Sequence, residues 1–240
     1  MTLTTRRWIQ IVLIVLLLAA AARLVFVFLG RTTENAGQAK QESAPPLQAD
    51  YYVQPRKLHD YDAASLRKDL AGKPVWIREG YRFTYYPCDA PRHHADFAHE
   101  GGTNAPIEKL MIRDVVSQPG PGGNTQVLAV FDKDGRDWCL PVGVVQGETR
   151  QIFADDIFFY DDPHLLYKHW PADVWQAIDS HQMKPGMNEL QASFAIGMGT
   201  PQAGDERVLH YPNGGHPLVV TYQNGRATQV EPDSATPARK

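Results

Sequence analysis

The chain has 240 residues, of which 43% are hydrophobic and 21% are charged, and its formal net charge is −3 at pH 7. Such a composition is typical of a globular protein with enough apolar residues to bury a core. The mild acidity, with no cluster of Lys and Arg beyond the N-terminus, argues against nucleic-acid binding, which needs a basic surface.

The first predicted element is an apolar helix close to the N-terminus. Residues 8–29 contain only two polar side chains. A helix of about 20 apolar residues spans the hydrocarbon core of a bilayer, and Arg6 and Arg7 favour a cytoplasmic N-terminus. We therefore expect residues 1–30 to form a single-pass anchor in the inner membrane, with contacts to lipid through residues 8–29 and the C-terminal bulk in the periplasm. The alternative is a signal peptide, in which residues 1–22 are cleaved off.

Two polar segments flank the parts that are expected to fold. Residues 31–56 are rich in Ala, Gln, Glu, Thr and Pro, and residues 232–240 are also small and polar. Segments with so few bulky apolar residues do not bury enough surface to offset the entropy lost on ordering. We predict a flexible tether for the first segment and a disordered tail for the second.

A small domain composed mainly of β-strands is predicted for residues 57–160. An aspartate can cap a helix over residues 63–70. Five or six short strands separated by turns follow, a pattern that resembles an SH3-like barrel or a strongly curled antiparallel sheet. Cys88 and Cys139 are the only cysteines in the sequence. We expect them to form a disulfide in an oxidising compartment, and the alternative is a pair of buried free thiols.

Three histidines follow Cys88 within a short loop. His93, His94 and His99, together with neighbouring carboxylates, are of the residue types that bind zinc or copper. Their spacing matches no metal-binding motif, so the alternative is a solvated loop without a metal. Metal binding or enzyme activity at His93, His94 and His99 is therefore the second functional hypothesis.

Clusters of acidic residues elsewhere have simpler explanations than catalysis. Residues 132–137 resemble part of a calcium loop but lack its distal glutamate, and a hairpin turn explains them. The pairs at 155–156 and 161–162 could serve glycoside hydrolysis, but the second pair also suits the start of a helix that begins at Pro163. Aromatic residues between positions 157 and 175 are expected to fill the seam between the two folded segments.

The C-terminal segment, residues 161–231, has the patterns of an α+β layer. Short helices lead to Asn188, which can cap a further helix together with Gln191, and a glycine can end that helix. Three strands follow, and Asn224-Gly225 between the last two is typical of a type I′ hairpin turn. The fold class predicted for the chain is therefore α+β: a transmembrane helix, a small barrel or curled antiparallel sheet, and two helices with a three-stranded antiparallel sheet.

These C-terminal motifs resemble a known family. Residues 186–191 (Gly-Met-Asn-Glu-Leu-Gln), 197–201 (Gly-Met-Gly-Thr-Pro) and 219–226 (Val-Val-Thr-Tyr-Gln-Asn-Gly-Arg) are similar to the SmpA/OmlA (BamE-like) domain of Gram-negative outer-membrane assembly factors. The resemblance covers residues 170–231 and implies a role in protein interaction rather than catalysis. The chain departs from the family because it has no lipid-attachment cysteine after the apolar N-terminal run.

The first functional hypothesis combines the anchor, the tether and this resemblance. We expect a membrane-anchored periplasmic scaffold or assembly factor that binds an envelope or membrane protein, without enzymatic activity and without a cofactor. The sequence contains no Gly-x-Ser-x-Gly, His-Glu-x-x-His, Walker or Rossmann pattern. Binding of peptidoglycan or of a small ligand by the β domain is a third possibility, which has only fold analogy behind it.

Overall fold

The protein was analysed as a computed structural model, which describes residues 20–25, 49–80, 82–89, 92 and 94–233. The chain divides into two units, residues 1–48 and residues 49–240. In the first unit, residues 20–25 are helical and exposed. All helices and strands named below belong to the second unit. The parts of the predicted tether before residue 49, and of the predicted tail after residue 233, lie outside the described residues.

The predicted location of the protein is contradicted by the structure. Within the described ranges, no helix has the length and the apolar character needed to cross a membrane. A spanning helix requires about 20 residues, whereas the long helices of the second unit have eight. Of the predicted span, residues 8–19 and 26–29 lie outside the described residues. The prediction of a single-pass inner-membrane protein, with lipid contacts through residues 8–29 and its bulk in the periplasm, is not retained.

One antiparallel sheet forms most of the second unit up to residue 159. Its nine described strands are β1 (Pro74–Ile77), β2 (Thr84–Asp89), β3 (His94–Ala95), β4 (Gly102–Thr103), β5 (Lys109–Pro119), β6 (Thr125–Lys133), β7 (Arg136–Gln146), β8 (Thr149–Ile152) and β9 (Phe158–Phe159). Hydrogen bonding places them in the order β3-β2-β7-β6-β5-β1-β9, with β4 also paired to β2 and β8 to β7. The hairpin from β6 to β7 turns at Asp134 and Gly135, whose φ angles of 57° and 75° suit a type I′ turn.

A helix, α1 (Ala63–Leu70), covers one face of this sheet. Asp62 caps α1, as the sequence predicts, and it does so through a capping box with Ser65. Leu66 and Leu70 are fully buried and belong to one apolar core with residues of β1, β5, β6 and β7. Burial of a leucine side chain contributes about 1.5–3 kcal/mol, so these two residues fix α1 against the sheet.

The disulfide predicted between Cys88 and Cys139 is present. It joins β2 to β7, which are paired in the sheet. Val116, Leu128 and Val130 pack around it. Because side chains alternate between the two faces of a strand, this small cluster lies on the face opposite α1.

Four short helices and a second sheet complete the second unit. The helices are α2 (Ala154–Ile157), α3 (Pro163–Leu166), α4 (Ala172–Asp179) and α5 (Glu189–Ile196), and the strands are β10 (Thr200–Gln202), β11 (Asp205–Tyr211), β12 (Leu218–Gln223) and β13 (Arg226–Pro232). The second sheet is antiparallel with the order β10-β11-β12-β13.

The local signals read from the C-terminal sequence are confirmed. Asn188 and Gln191 form the capping box of α5. Gly197, with a φ angle of 93°, ends that helix. Asn224 and Gly225 connect β12 to β13 with φ angles of 51° and 70°, as a type I′ turn requires.

The predicted fold class, by contrast, is wrong. The described residues are mostly antiparallel sheet, in one sheet of nine strands and one of four, with few helices. The prediction had a small barrel of five or six strands and a layer with three. Strands β3, β4 and β9 have two residues each, too few for a periodic pattern. Strand β10 contains Pro201, a residue that weakens the strand signal of its segment.

Aromatic side chains join the two sheets through a shared core. Trp76 and Phe159 of the large sheet lie in the same cluster as Trp170, Trp175 and Phe194. The ring centroids of Phe159 and Phe194 are 5.8 Å apart, and those of Trp170 and Phe194 are 4.9 Å apart. The expectation that large rings fill the seam is confirmed.

A 3-10 turn, Ala49–Tyr52, ties the beginning of the second unit to this core. Asp50 accepts hydrogen bonds from the indole N–H of Trp170 at 2.6 Å and from the side-chain amide of Asn188 at 3.1 Å. The same carboxylate contacts His169 Nε2. The start of the unit is thereby fastened beside α5.

Candidate functional site

The histidine loop does not assemble a metal site among the described residues. His94 is exposed, and the side chain of His99 is 78% exposed, with its Nδ1 2.7 Å from Asp96. That hydrogen bond is the main cause that lowers the pKa of Asp96. His93 lies outside the described residues. Within the described ranges, no group of three or more His, Cys, Asp or Glu side chains could hold a metal. Metal binding by the three histidines stays a prediction.

The acidic clusters have structural roles. Residues 132–137 contain the predicted hairpin turn between β6 and β7, and Arg113 binds Asp132 at 2.9 Å and Asp137 at 2.7 Å beside it. Asp162 caps α3, with its side chain accepting from the backbone N–H of His164. The alternative of a helix cap at residues 161–162 is thus confirmed.

Asp155 holds the segment that precedes α1. It accepts the backbone N–H groups of Leu58 and His59 and the hydroxyl of Tyr160, all within 3.0 Å. Burial opposes its charge, but these hydrogen bonds outweigh burial and hold the pKa of Asp155 below its ordinary value. Burial and the same carboxylate raise the pKa of Tyr160. The carboxylate of Asp155 therefore has a structural role.

A cleft of about 490 Å³ lies at the seam between the large sheet and α4. At one end, Glu108 binds Lys133 at 2.7 Å and the side-chain amide of Asn104 at 3.2 Å. Burial opposes the charge of Lys133, but the hydrogen bond with Glu108 prevails and raises its pKa. At the other end, the two ring nitrogens of His164 each lie 3.1 Å from a carboxylate, of Asp162 and of Asp179. The charged groups at each end of the cleft are therefore paired with neighbouring side chains of the protein.

The unusual backbone of Ile107 in this cleft also has a structural cause. Its φ angle of 61° lies in the left-handed region, which costs an L-residue roughly 1–2 kcal/mol. The N–H of Ile107 donates to the carbonyl of Ile77, while the N–H of Ile77 donates to the carbonyl of Glu108. Two residues therefore face one across the β1–β5 pair, which is a β-bulge.

The edge of β5 differs from these sites because part of its backbone has no hydrogen-bonding neighbour among the described strands. β6 pairs along β5 from Ile112 to Pro119, but β1 pairs with β5 only over residues 109–111. The two residues before β1 extend this contact to the backbone of Ile112. Between Asp114 and Pro119, within the described part of the chain, β5 therefore has a neighbouring strand on one side only.

The hydrogen bonds of Val115 and of Ile112 indicate which backbone groups of β5 point away from β6. The N–H of Val115 donates to Asp114 Oδ1 at 2.8 Å. Because hydrogen-bonding directions alternate along a strand, the backbone groups of Ser117 and Pro119 point to the same side as those of Val115. Pro119, as a proline, has no backbone N–H. A bulge separates Ile112 from Asp114, and the backbone N–H and carbonyl of Ile112 also form their hydrogen bonds on the side away from β6. The open edge thus presents the carbonyl of Val115 and both backbone groups of Ser117.

A cleft of about 670 Å³ runs along this open edge. We call it the edge groove; it is lined by Ala63, Ala64 and Arg67 of α1, by residues 113–117 of β5, and by Val130 and Asp137. The side chains that α1 presents near its start are alanines, which leave space between helix and strand. The groove therefore combines unpaired backbone groups with room beside them.

Two arginines in the edge groove already hold carboxylates. Arg67 binds Asp114 through Nε at 2.5 Å and through Nη2 at 2.9 Å. Arg113 is held by two carboxylates from the β6–β7 hairpin. The side chain of Arg67 is 61% exposed and that of Asp114 28% exposed. A pair so accessible to water contributes about 0–1 kcal/mol, so little free energy opposes its opening.

A strand in this region is predictable from the sequence, but its open edge is not. The observed strand, Lys109–Pro119, lies in the region of residues 57–160 for which several strands are predicted. Which strand lies beside another is decided by long-range pairing, for which the sequence offers no local signal. Pro119, which suits an edge position, is the one residue that could have pointed to it.

Comparisons with known proteins do not extend these observations. The chain matches no protein-family model, no curated protein and no solved structure. The resemblance of residues 170–231 to the SmpA/OmlA (BamE-like) domain stays a prediction.

Proposed function

We propose that this protein is a non-catalytic interaction module that binds an extended segment of a partner protein by strand addition in the edge groove. The observation that carries the proposal is the open edge of β5 between Asp114 and Pro119. An extended peptide that pairs with such an edge gains main-chain hydrogen bonds, and its alternate side chains contact the walls of the site.

The backbone groups of the edge favour a peptide over a small molecule. The carbonyl of Val115 and the N–H and carbonyl of Ser117 are spaced as in any strand, two residues apart, at about 3.3 Å per residue. Another polypeptide strand presents complementary groups with the same spacing. The edge from Asp114 to Pro119 is long enough for a partner segment of about four to six residues.

The walls of the groove favour an extended segment over a helix. Ala63 and Ala64 line the groove on the side of α1, whereas Val116 and Val130 belong to the opposite face of the sheet. A strand needs a lateral distance of about 4.8 Å from its neighbour, whereas a helix has a diameter of about 10–12 Å. A strand inserted beside β5 would place alternate side chains on these two faces of the sheet while its backbone pairs with the edge.

The disulfide adds information on where the partner is found. Disulfides persist in oxidising compartments, and Cys88–Cys139 lies in the sheet that carries β5. We expect the partner segment to belong to a protein that shares such a compartment.

The test uses peptides selected from a random displayed library against the full chain. The affinity of the selected peptides is measured by fluorescence polarisation for the wild type, for Ser117→Pro and for the matched control Ser117→Ala. Proline removes the N–H of Ser117 and blocks approach to the edge, and it should fold there because Pro119 already occupies a position of the same orientation. Alanine keeps the N–H.

We expect Ser117→Pro to weaken peptide binding about tenfold or more, because each backbone hydrogen bond contributes about 0.5–1.5 kcal/mol and neighbouring bonds are lost with it. Ser117→Ala should bind as the wild type does. Equal affinities of the two variants, both with wild-type melting temperatures, would refute strand addition at β5. A library that yields no binder would also count against the proposal.

A further inference from the structure

Asp114 occupies the first free position of the open edge with its own carboxylate. Its Oδ1 accepts the N–H of Val115 at 2.8 Å and also Arg67 Nε, and its Oδ2 accepts Arg67 Nη2 at 2.9 Å. One carboxylate therefore satisfies an outward backbone N–H and a guanidinium fork together. This is the arrangement that a bound carboxylate would adopt at this place.

We propose that the edge groove recognises a free carboxylate on the partner segment, which replaces Asp114 at Arg67 and at the N–H of Val115. The inference rests on the proposed function and names the chemistry of the ligand. Asp114 is a resident stand-in that keeps both donors satisfied while the groove is empty. The ligand is an extended peptide with a carboxylate placed beside the start of the open edge.

The replacement of Asp114 by a ligand carboxylate, taken without any other contact, changes the binding free energy little. The incoming carboxylate accepts the same three donors that Asp114 releases, and planar two-point pairing suits arginine. The side chain of Arg67 is 61% exposed, so its guanidinium is accessible from solvent. A peptide ligand also gains strand pairing at Ser117 and burial against the alanines of α1. These additional contacts allow the peptide to displace Asp114, whereas a free carboxylate ion lacks them and does not displace it.

The second arginine of the groove does not offer the same site. Arg113 is bound to both Asp132 and Asp137, so a ligand carboxylate would have to displace two partners. Neither of those carboxylates is bonded to an outward backbone N–H of β5 in the described contacts. The pair Arg67–Asp114 is therefore the one that couples charge recognition to the strand edge.

The carboxylate can come from two sources, the C-terminus of the partner or an acidic side chain. The peptides obtained by the library selection described above are made in three forms: with a free C-terminus, with a C-terminal amide, and with each Asp or Glu changed to Asn or Gln. Their affinities are measured for the wild type, Asp114→Ala and Arg67→Gln. The exposed pair Arg207–Asp205 of β11 supplies matched controls, Asp205→Ala and Arg207→Gln.

We expect Asp114→Ala to bind the carboxylate form about tenfold more tightly than the wild type does, because no resident group competes for the charged donors. It should leave the affinity of the form without that carboxylate unchanged. Arg67→Gln should abolish the difference between the two forms, and the β11 controls should behave as the wild type.

The inference and the proposed function fail in different ways. If peptides bind and Ser117→Pro weakens them, but neither loss of carboxylate nor Asp114→Ala changes the affinity, then strand addition stands and carboxylate recognition is overturned. If no selected peptide is sensitive to Ser117→Pro, both are overturned. Melting curves of each variant show whether it is folded, and Asp114→Asn, which keeps an acceptor for the N–H of Val115, replaces Asp114→Ala if the latter does not fold.

Discussion

Loss of the disulfide between Cys88 and Cys139 is expected to remove a large part of the stability of the protein. The two cysteines are 51 residues apart in sequence, and in the chain-entropy model closure of such a loop contributes about 4 kcal/mol at 25 °C. The free energy of unfolding of a whole domain is about 5–15 kcal/mol. For a chain of this size the loss corresponds to a decrease of roughly 8–16 °C in Tm.

The assay is urea unfolding of the wild type and of the double variant Cys88→Ala/Cys139→Ala, each with and without reductant. The wild type with reductant should approach the double variant, and the variant should not respond to reductant. Cys139 is fully buried, so the variant also loses some packing, which reduction alone does not remove. Free-thiol titration establishes that the bond has opened. If the fully reduced wild type unfolds within about 1 kcal/mol of the oxidised one, the chain-entropy reasoning is refuted.

Three further predictions concern a close packing contact, a helix cap and a partly buried carboxylate. Gly199→Ala would place a Cβ 2.6 Å from the ring of Tyr211, and overpacking should lower the free energy of unfolding by about 1–3 kcal/mol; an unchanged Tm would contradict this contact. Asn188→Ala removes the cap of α5 and should cost about 1 kcal/mol in thermal or urea unfolding, and no change would show that the cap contributes nothing. Because the pKa of Asp155 is lowered in the folded state, its contribution is present at neutral pH and lost as the pH falls through that lowered value. The stability difference between wild type and Asp155→Asn, from urea unfolding, should therefore shrink below about pH 4, and a constant difference would refute the assignment.

Local signals in the sequence predicted local structure well. The capped helix that begins after Asp62, the capping box at Asn188 and the turn at Asn224-Gly225 all appear where the residues place them. Each of these features depends on residues within one turn of one another. Caps and tight turns are decided by side-chain chemistry and by allowed φ angles, which the sequence states directly.

The large-scale fold was not predictable in the same way. Strands β3, β4 and β9 exist because a neighbouring strand lies beside them, and none is long enough to show alternation. The bulge at Ile107 adopts a positive φ angle in a β-branched residue, against local preference. Such features depend on contacts distant in sequence, and a single sequence does not reveal them.

The candidate site illustrates the same limit. The types of residue that bind metals, such as those of the histidine loop, are visible in a sequence. An open strand edge is not visible, because it is defined by the absence of a neighbouring strand on one side. Asp114 and Arg67 are 47 residues apart, and neither belongs to a motif. Only the fold brings the carboxylate, the guanidinium and the N–H of Val115 together.

Several other edges of the two sheets are protected against pairing with another chain, and β5 shares that protection only in part. Edge strands are protected by short length, proline or covering segments: β3 and β9 have two residues each, β10 contains Pro201, and Ala227 of β13 exchanges backbone hydrogen bonds with residues 186–187. On β5 the same protection is partial, since Pro119 ends the edge and Asp114 covers its first N–H. A second copy that approached β5 would bring its own Arg67–Asp114 pair, whose members are already satisfied, so it would gain no carboxylate contact at Arg67. A segment that carries a free carboxylate can take the place of Asp114, so the residue that protects the edge from the wrong strand is also the residue that selects the right one.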